Sequence, residues 1–353
     1  MAVITYKCPN CGGDLRFDPE SQSYKCEYCR SGFSQEQLDQ MVPEGEAVLL
    51  QDSGGEGSGV DGAAALLYHC PSCGAEIVTD ETTAATFCYY CHNPVVLSGR
   101  LQGEYNPDFV IPFAVDREKA LEIFSQWIGR KKYIPKAFYS PEQIEKMSGV
   151  YFPYWMFGCQ VDGRLDAEAT KLKTWVSGNT QFVQTEKFDV SRAGRMPVAH
   201  VTRNALKKAN RQLVEGVLPF EMEGLRPFSM GYLSGFQAEN RDMDRQELAE
   251  EVEREVREFA AESLKQEIGA YDSVKVRTQS MDILNPEWKY TLMPVWALTY
   301  KDRKHDKIYY FACNGQTGKV CGELPVDNGR LVSLFMSIFI PLFVILLIVG
   351  YFL

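Results

Sequence analysis

Two stretches of the chain carry the same cysteine frame. CPNCGGDLRFDPESQSYKCEYC runs from Cys8 to Cys29, and CPSCGAEIVTDETTAATFCYYC from Cys70 to Cys91, each reading Cys-x2-Cys, fourteen residues, Cys-x2-Cys. A Cys-x2-Cys turn aims two sulfurs at one point, and Gly12 and Gly74, directly after the second cysteine, can adopt the backbone angles such a knuckle needs. Fourteen residues make a strand, a turn and a return strand, which brings the second knuckle opposite the first. The spacing therefore predicts two closed four-cysteine zinc sites, Cys8, Cys11, Cys26 and Cys29 in one, Cys70, Cys73, Cys88 and Cys91 in the other. Four thiolates leave no open position, so each ion is structural, and metal binding supplies the folding energy that so short a segment lacks. Tyr6 and Tyr68 precede the leading knuckles in register, and Tyr28 and Tyr90 sit inside the closing ones, which marks a duplication. Free thiols or redox Cys-x2-Cys pairs are the competing reading. His69 and His92 adjoin ligand cysteines and read as neighbours, since four sulfurs are already at hand.

Both cassettes resemble the zinc ribbons of transcription factor IIB and of small RNA polymerase subunits, a resemblance specific for the fold and unspecific for its task. Charge narrows the task. Residues 1–100 hold five Lys/Arg against fourteen Asp/Glu, a balance of −9. Binding to nucleic acid requires cations that displace counterions from phosphates, and an acidic pair of ribbons repels that backbone. The ribbons read as protein-facing. Eight of the 11 cysteines fall in the cassettes; this clustering, with an N-terminus lacking an apolar signal region, points to thiolate ligands in a reducing compartment. Cys159, Cys313 and Cys321 read as buried free thiols.

The domain plan follows from composition. Zinc ribbon 1 occupies 1–33. Residues 34–66 hold a short helix capped by Ser34 and a Gly/Ser/acidic tether, on which the ribbons are expected to move independently. Zinc ribbon 2 occupies 67–98, and the body 106–328. Asp116 opens a helix whose apolar face is Ala120, Leu121, Phe124, Trp127 and Ile128. Ser140, Pro141 and Gln143 mark another helix start with a capping box. The longest helix is expected from Asp244 to Ile268, its stripe made of Leu248, Val252, Val256, Phe259, Ala260 and Leu264. Strand signals surround two Pro-x-Trp centres, Pro153/Trp155 and Pro294/Trp296. Each follows a helical stretch, as in a diverged internal duplication. The second leads into a segment with tight turns at Asn314-Gly315 and Gly318. The mixture predicts an α+β fold: two small four-cysteine zinc ribbons, an α+β body with antiparallel sheet, and one C-terminal transmembrane helix.

Residues 331–353 contain no charged side chain and, at about 1.5 Å per residue, span roughly 34 Å, enough for a hydrocarbon core of about 30 Å. Arg330 stands at the near edge, as a positive-inside anchor requires. The expectation is a single-pass tail anchor in the cell membrane with the N-terminal bulk in the cytoplasm. The body offers little chemistry. NGQTGKV lacks the Ser/Thr that a phosphate loop places after its lysine, and HExxH, Gly-x-Ser-x-Gly and dinucleotide fingerprints are missing. No enzyme is expected.

Over nearly its full length the chain resembles a family of bacterial zinc-ribbon membrane proteins. The stretches that carry the resemblance are the paired ribbons, GVYFPYW, GYLSGFQAEN, PVWALTY, YYFACNGQTGKV and the C-terminal helix. Members look like partners of phage-shock protein A and of flotillin-like SPFH proteins in envelope-stress response. The resemblance thus implies a non-enzymatic, membrane-anchored adaptor with two structural Zn2+ ions. The alternative is a membrane-held, nucleic-acid-binding regulator linked to transcription or replication, against which the acidic first hundred residues speak.

Overall fold

The computed structural model describes residues 3–4, 6–41, 66–69, 76–79, 82–88, 94–97, 101, 103–131, 133–269, 271–302 and 307–352. The fold is mixed α+β. Most of its strands join one large sheet with the order Val3–Ile4, Pro94–Leu97, Thr83–Phe87, Gln237–Glu239, Ser148–Ser177, Ser273–Asp302, Lys307–Asn314, Val320–Glu323. Pairings towards both ends of this order are antiparallel, whereas Ser148–Ser177 and Gln237–Glu239 run parallel through Val150↔Gln237. Two compact units divide the chain. The first is Met1–Pro153 with Leu206–Asn240 and Leu292–Leu353, the second Tyr154–Ala205 with Arg241–Thr291.

The body is built twice to one plan. In the first unit Asp116 caps the Arg117–Gly129 helix by accepting the Lys119 amide at 2.6 Å. The two amides before it, Ala114 and Val115, both donate to the Gly315 carbonyl at 2.8 Å. The Val115 carbonyl accepts the Trp296 indole N–H at 2.8 Å. In the second unit Asp244 stands before the Arg245–Gln266 helix. Asp242 and Met243 both donate to the Ala205 carbonyl at 3.1 Å, and the Met243 carbonyl accepts the Trp155 indole at 3.0 Å. The strand registers agree as well: Tyr154 and Trp155 face Asn204 and Arg203, as Val295 and Trp296 face Asn314 and Cys313. In each unit a Pro-x-Trp strand thus fixes the start of that unit's helix, because a buried indole N–H needs an acceptor and the carbonyl before an N-cap is free to serve.

Each unit then closes its own core. Leu248, Val252, Val256, Ala260 and Leu264 are buried along the longer helix, whereas Phe259, expected in that stripe, is 62% exposed because it falls on the outer side of the turn. Gly163 lets this helix approach the sheet: an added Cβ would lie 2.9 Å from Leu264 and 3.0 Å from Met281. In the first unit Phe113 stacks on Phe236 at 4.2 Å and meets Trp296 edge-on at 5.2 Å. Asn314, fully buried, donates to Val217 and Pro219 carbonyls and accepts the Gln316 and Thr317 amides, so the expected Asn-Gly turn is a satisfied polar hub. Gly318 has φ +75° there. The capping box expected at Ser140 is not formed. Gln143 is buried and donates to the Thr299 carbonyl, which takes its side chain away from the Ser140 amide.

The chain reaches the Asn328–Phe352 helix, which is long and apolar enough to cross a membrane and exposed along its span. Phe335, Phe339 and Phe343 stack one turn apart on one face, at 5.3 and 5.6 Å.

Candidate metal centre

The first cassette folds as its spacing predicts. Leu15–Asp18 and Ser23–Cys26 pair antiparallel, Leu15 facing Cys26, and Gly32–Phe33 adds a third strand. Each knuckle is the same turn: Gly12 N–H donates to the Cys8 carbonyl at 2.8 Å, Arg30 N–H to the Cys26 carbonyl at 2.9 Å. Both closing residues have positive φ, +74° at Gly12 and +59° at Arg30. For Arg30 that conformation is strained, as Cβ crowds the following carbonyl. The leading knuckle is crowded too. A Cβ on Gly13 would lie 2.8 Å from the Tyr28 ring and 3.2 Å from Cys26 Sγ.

These turns bring Cys8, Cys11, Cys26 and Cys29 together, with all four sulfurs within 4.8 Å of one another. Cys8 and Cys29 lie 3.5 Å apart, as do Cys11 and Cys26. A tetrahedral ion with bonds of about 2.3 Å sets its sulfurs about 3.8 Å apart, so the quartet can hold a metal ion after spreading by a few tenths of an ångström. Asn10 Nδ2 donates to Ser31 Oγ at 2.9 Å, and Ser31 Oγ lies 3.2 Å from Cys29 Sγ. That chain of partners orients a ligand from outside the metal's own shell. The Ser31 hydroxyl and amide lower the Cys29 thiol to about 6. At Cys11 the Gly13 amide acts to lower the thiol, but the Cys26 and Cys29 sulfurs outweigh it and push it up to about 12. Of these two thiols Cys29 is therefore the one that ionises more readily. Cys8 and Cys26 are buried while Cys11 and Cys29 are exposed, so the site sits at the surface.

The ribbon does not stand apart from the body. Phe17 N–H donates to the Ser234 carbonyl at 3.0 Å, and Ser234 Oγ to the Leu15 carbonyl at 2.5 Å. The buried Tyr24 donates to Gln35, whose Nε2 donates to Ser229 at 2.9 Å. Tyr24 also lies against Gly231, where a Cβ would sit 2.5 Å from its hydroxyl. Gln22 Nε2 reaches the Phe113 carbonyl at 2.7 Å. Independent movement, expected from the tether, is thus corrected for the first ribbon: residues 229–236 cover its open strand edge. The Ser34 cap is formed, with Gln37 returning the bond.

In the second cassette Cys70, Cys73 and Cys91 lie outside the described residues, as do Gly74, Tyr89, Tyr90, His92 and the tether. Cys88 is described, and buried. Of the three other cysteines, Cys159 and Cys313 are buried as expected. Burial pushes the Cys313 thiol up to about 12. Cys321 is half-buried, its Sγ 3.4 Å from the Gln212 carbonyl.

A surface feature escaped the sequence reading. Ser148–Ser177 and Thr180–Asn204 form one long hairpin turning at Gly178, φ +64°. Near its tip Trp175 stacks on Phe182 at 5.6 Å, with Leu172, Val176 and Val183 exposed beside them. Its signal in the sequence is the pair of adjacent apolar residues on either side of the Gly178 turn, Trp175-Val176 and Phe182-Val183.

No family model and no solved structure matches the chain. It is 30% identical over 336 residues to "Uncharacterized protein YdjG" of Bacillus subtilis (strain 168), an alignment that covers 95% of this chain and 94% of that protein. At this identity over nearly the full length of both proteins, the chain belongs to one family with YdjG of Bacillus subtilis.

Proposed function

We propose that the protein is a membrane-anchored zinc-ribbon adaptor that presents docking modules to protein partners at the inner face of the cytoplasmic membrane and carries out no chemistry of its own. The observation that carries this reading is the first cassette. Four sulfurs already make a complete tetrahedral set, so zinc there has no position left for a substrate, while Tyr28 on the same knuckle is 82% exposed. Cys70, Cys73, Cys88 and Cys91 hold a second zinc by the same spacing. The Asn328–Phe352 helix is the anchor. Lys319 and Arg330, in the stretch leading into the helix, favour a cytoplasmic body by the positive-inside rule. The exposed Trp175–Phe182 tip supports docking, since apolar clusters on a surface mark interaction sites. The family resemblance suggests a phage-shock protein A-like or SPFH-type partner and an envelope-stress setting.

Crosslinking in native membranes followed by isolation of the full chain tests this. The wild type should retain such a partner, and Cys8→Ser/Cys11→Ser should retain at least about tenfold less. Equal capture by both chains, or duplex DNA retained at physiological salt with no protein, would overturn the adaptor.

A further inference from the structure

Where the membrane helix begins, the body has a cavity of about 460 Å³ lined by Ile128, Lys131, Tyr133, Ile134, Tyr139 and Arg330. The helix start is tied to its wall. Asp327 N–H donates to the Tyr133 carbonyl at 2.7 Å, and Tyr133 holds φ +64°, a conformation that non-glycine residues rarely keep. The Arg117–Gly129 helix runs straight into the sequence Arg130-Lys131-Lys132, with Lys136 following. The Asp327 carboxylate is the acidic partner of Arg330, at 3.3 Å, and it also accepts the Arg330 amide at 3.1 Å. The lining holds two cations, Lys131 and Arg330, against the one Asp327 carboxylate beside Arg330, which leaves a positive balance, and two tyrosines and two isoleucines give it apolar walls.

We propose that this cavity binds the headgroup of an anionic phospholipid, its phosphate held by Lys131 and Arg330 and its glycerol end against Tyr133, Tyr139 and Ile134. Three observations combine. The cavity stands at the end of a helix that can cross a membrane, where lipid phosphates lie. Of its cations, Arg330 lies in the first turn of that helix, and Lys131 stands two residues before Tyr133, whose carbonyl accepts the Asp327 amide. Its walls are apolar, which suits a headgroup joined to acyl chains better than a free anion. Basic pockets beside membrane helices on the cytoplasmic side recognise anionic lipids in this way. Such a site also fixes how the body stands on the membrane, since a headgroup bridging Lys131 and Arg330 ties the Arg117–Gly129 helix to the anchor.

The inference rests on the membrane-spanning reading of the Asn328–Phe352 helix, and the two are separable. Full-length protein in lipid nanodiscs is washed with alkaline carbonate before and after exchange, and its retained lipid is counted by native mass spectrometry. Wild type should keep one or two phosphatidylglycerol or cardiolipin molecules in preference to phosphatidylcholine. Lys131→Gln and Arg330→Gln should each weaken retention roughly fivefold, the value of about one charge near a lipid surface. Lys275→Gln, an exposed cation in the other unit, should change nothing. Inorganic phosphate alone at millimolar concentration should not displace the lipid. Equal retention of neutral and anionic lipid by a protein still held in the membrane overturns the headgroup site and leaves the anchor intact. Displacement by free phosphate overturns the lipid assignment. Release of wild type by carbonate overturns the anchor, and the site with it.

Discussion

In the first cassette the strand that leaves the leading knuckle, Leu15–Asp18, pairs with the strand that returns to the closing one, Ser23–Cys26. In the second, the equivalent strands have other partners. Glu76–Thr79 pairs with Leu66–His69, while Thr83–Phe87 lies between Pro94–Leu97 and Gln237–Glu239 inside the large sheet. Burial follows the difference. Ser23–Cys26 alternates, with Tyr24 and Cys26 inside and Lys25 out, as a one-sided ribbon should. Ala84, Ala85 and Thr86 are buried in succession, as are Val95, Val96 and Leu97, which is the mark of strands covered on both faces. In the first cassette the cysteine spacing brings the sulfurs together, and between the two cassettes the same spacing leaves strand partners open. The residues between the cysteines decide those.

The contrast is broken most severely through Cys88. Cys88→Ser should remove one zinc and, because its strand is part of the large sheet, lower the melting temperature of the body by about 10 °C. Cys26→Ser should remove the other zinc yet shift the body's transition by only a few degrees, with residues 6–41 becoming sensitive to protease. Metal analysis beside calorimetry reads both, and equal melting shifts would erase the distinction drawn from the strand pairings.

A smaller effect is expected where the first ribbon meets the body. Gly231→Leu drives a side chain into Tyr24 and should weaken docking by about 1–3 kcal/mol. Hydrogen exchange should speed up in residues 229–236 and 15–18 while zinc content stays at wild-type level. Loss of zinc in this variant would mean that the ribbon depends on the body for its fold.

How much of this is readable from the chain varies with range. Local features are legible: the quartet Cys8, Cys11, Cys26 and Cys29, the Asp116 cap and the Ser34 cap follow from short spacings, and the last helix from the uncharged run after Arg330. The paired Pro-x-Trp centres suggest a duplication, and the likeness of the two parts shows only in long-range bonds, such as Trp155 to Met243, which no periodicity encodes. Phe259 departs from expectation because a helix stripe defined by period alone does not say how wide the covering surface is. Gln143 has the spacing of a cap residue, yet its actual partner, Thr299, lies 156 residues away.

The mildest tests concern the knuckles themselves. Gly13→Ala should lower zinc affinity in the first site about fivefold, a small amount because the exposed Tyr28 ring can swing aside; the second cassette already carries Ala75 at this place. Competition with a chromophoric chelator measures it. Arg30→Gly removes a side chain from a left-handed position and should stabilise the ribbon by about 0.5–1 kcal/mol. A loss of stability there would mean that the Arg30 side chain contributes more than its backbone costs.

The central claim, that the cassettes are closed structural sites on an adaptor, is tested most directly by zinc X-ray absorption on the purified full-length protein together with its metal stoichiometry. The account predicts two zinc ions per chain, each with four sulfur neighbours at about 2.3 Å and no oxygen or nitrogen shell. One ion per chain, or a light-atom neighbour marking an open coordination position, would contradict it.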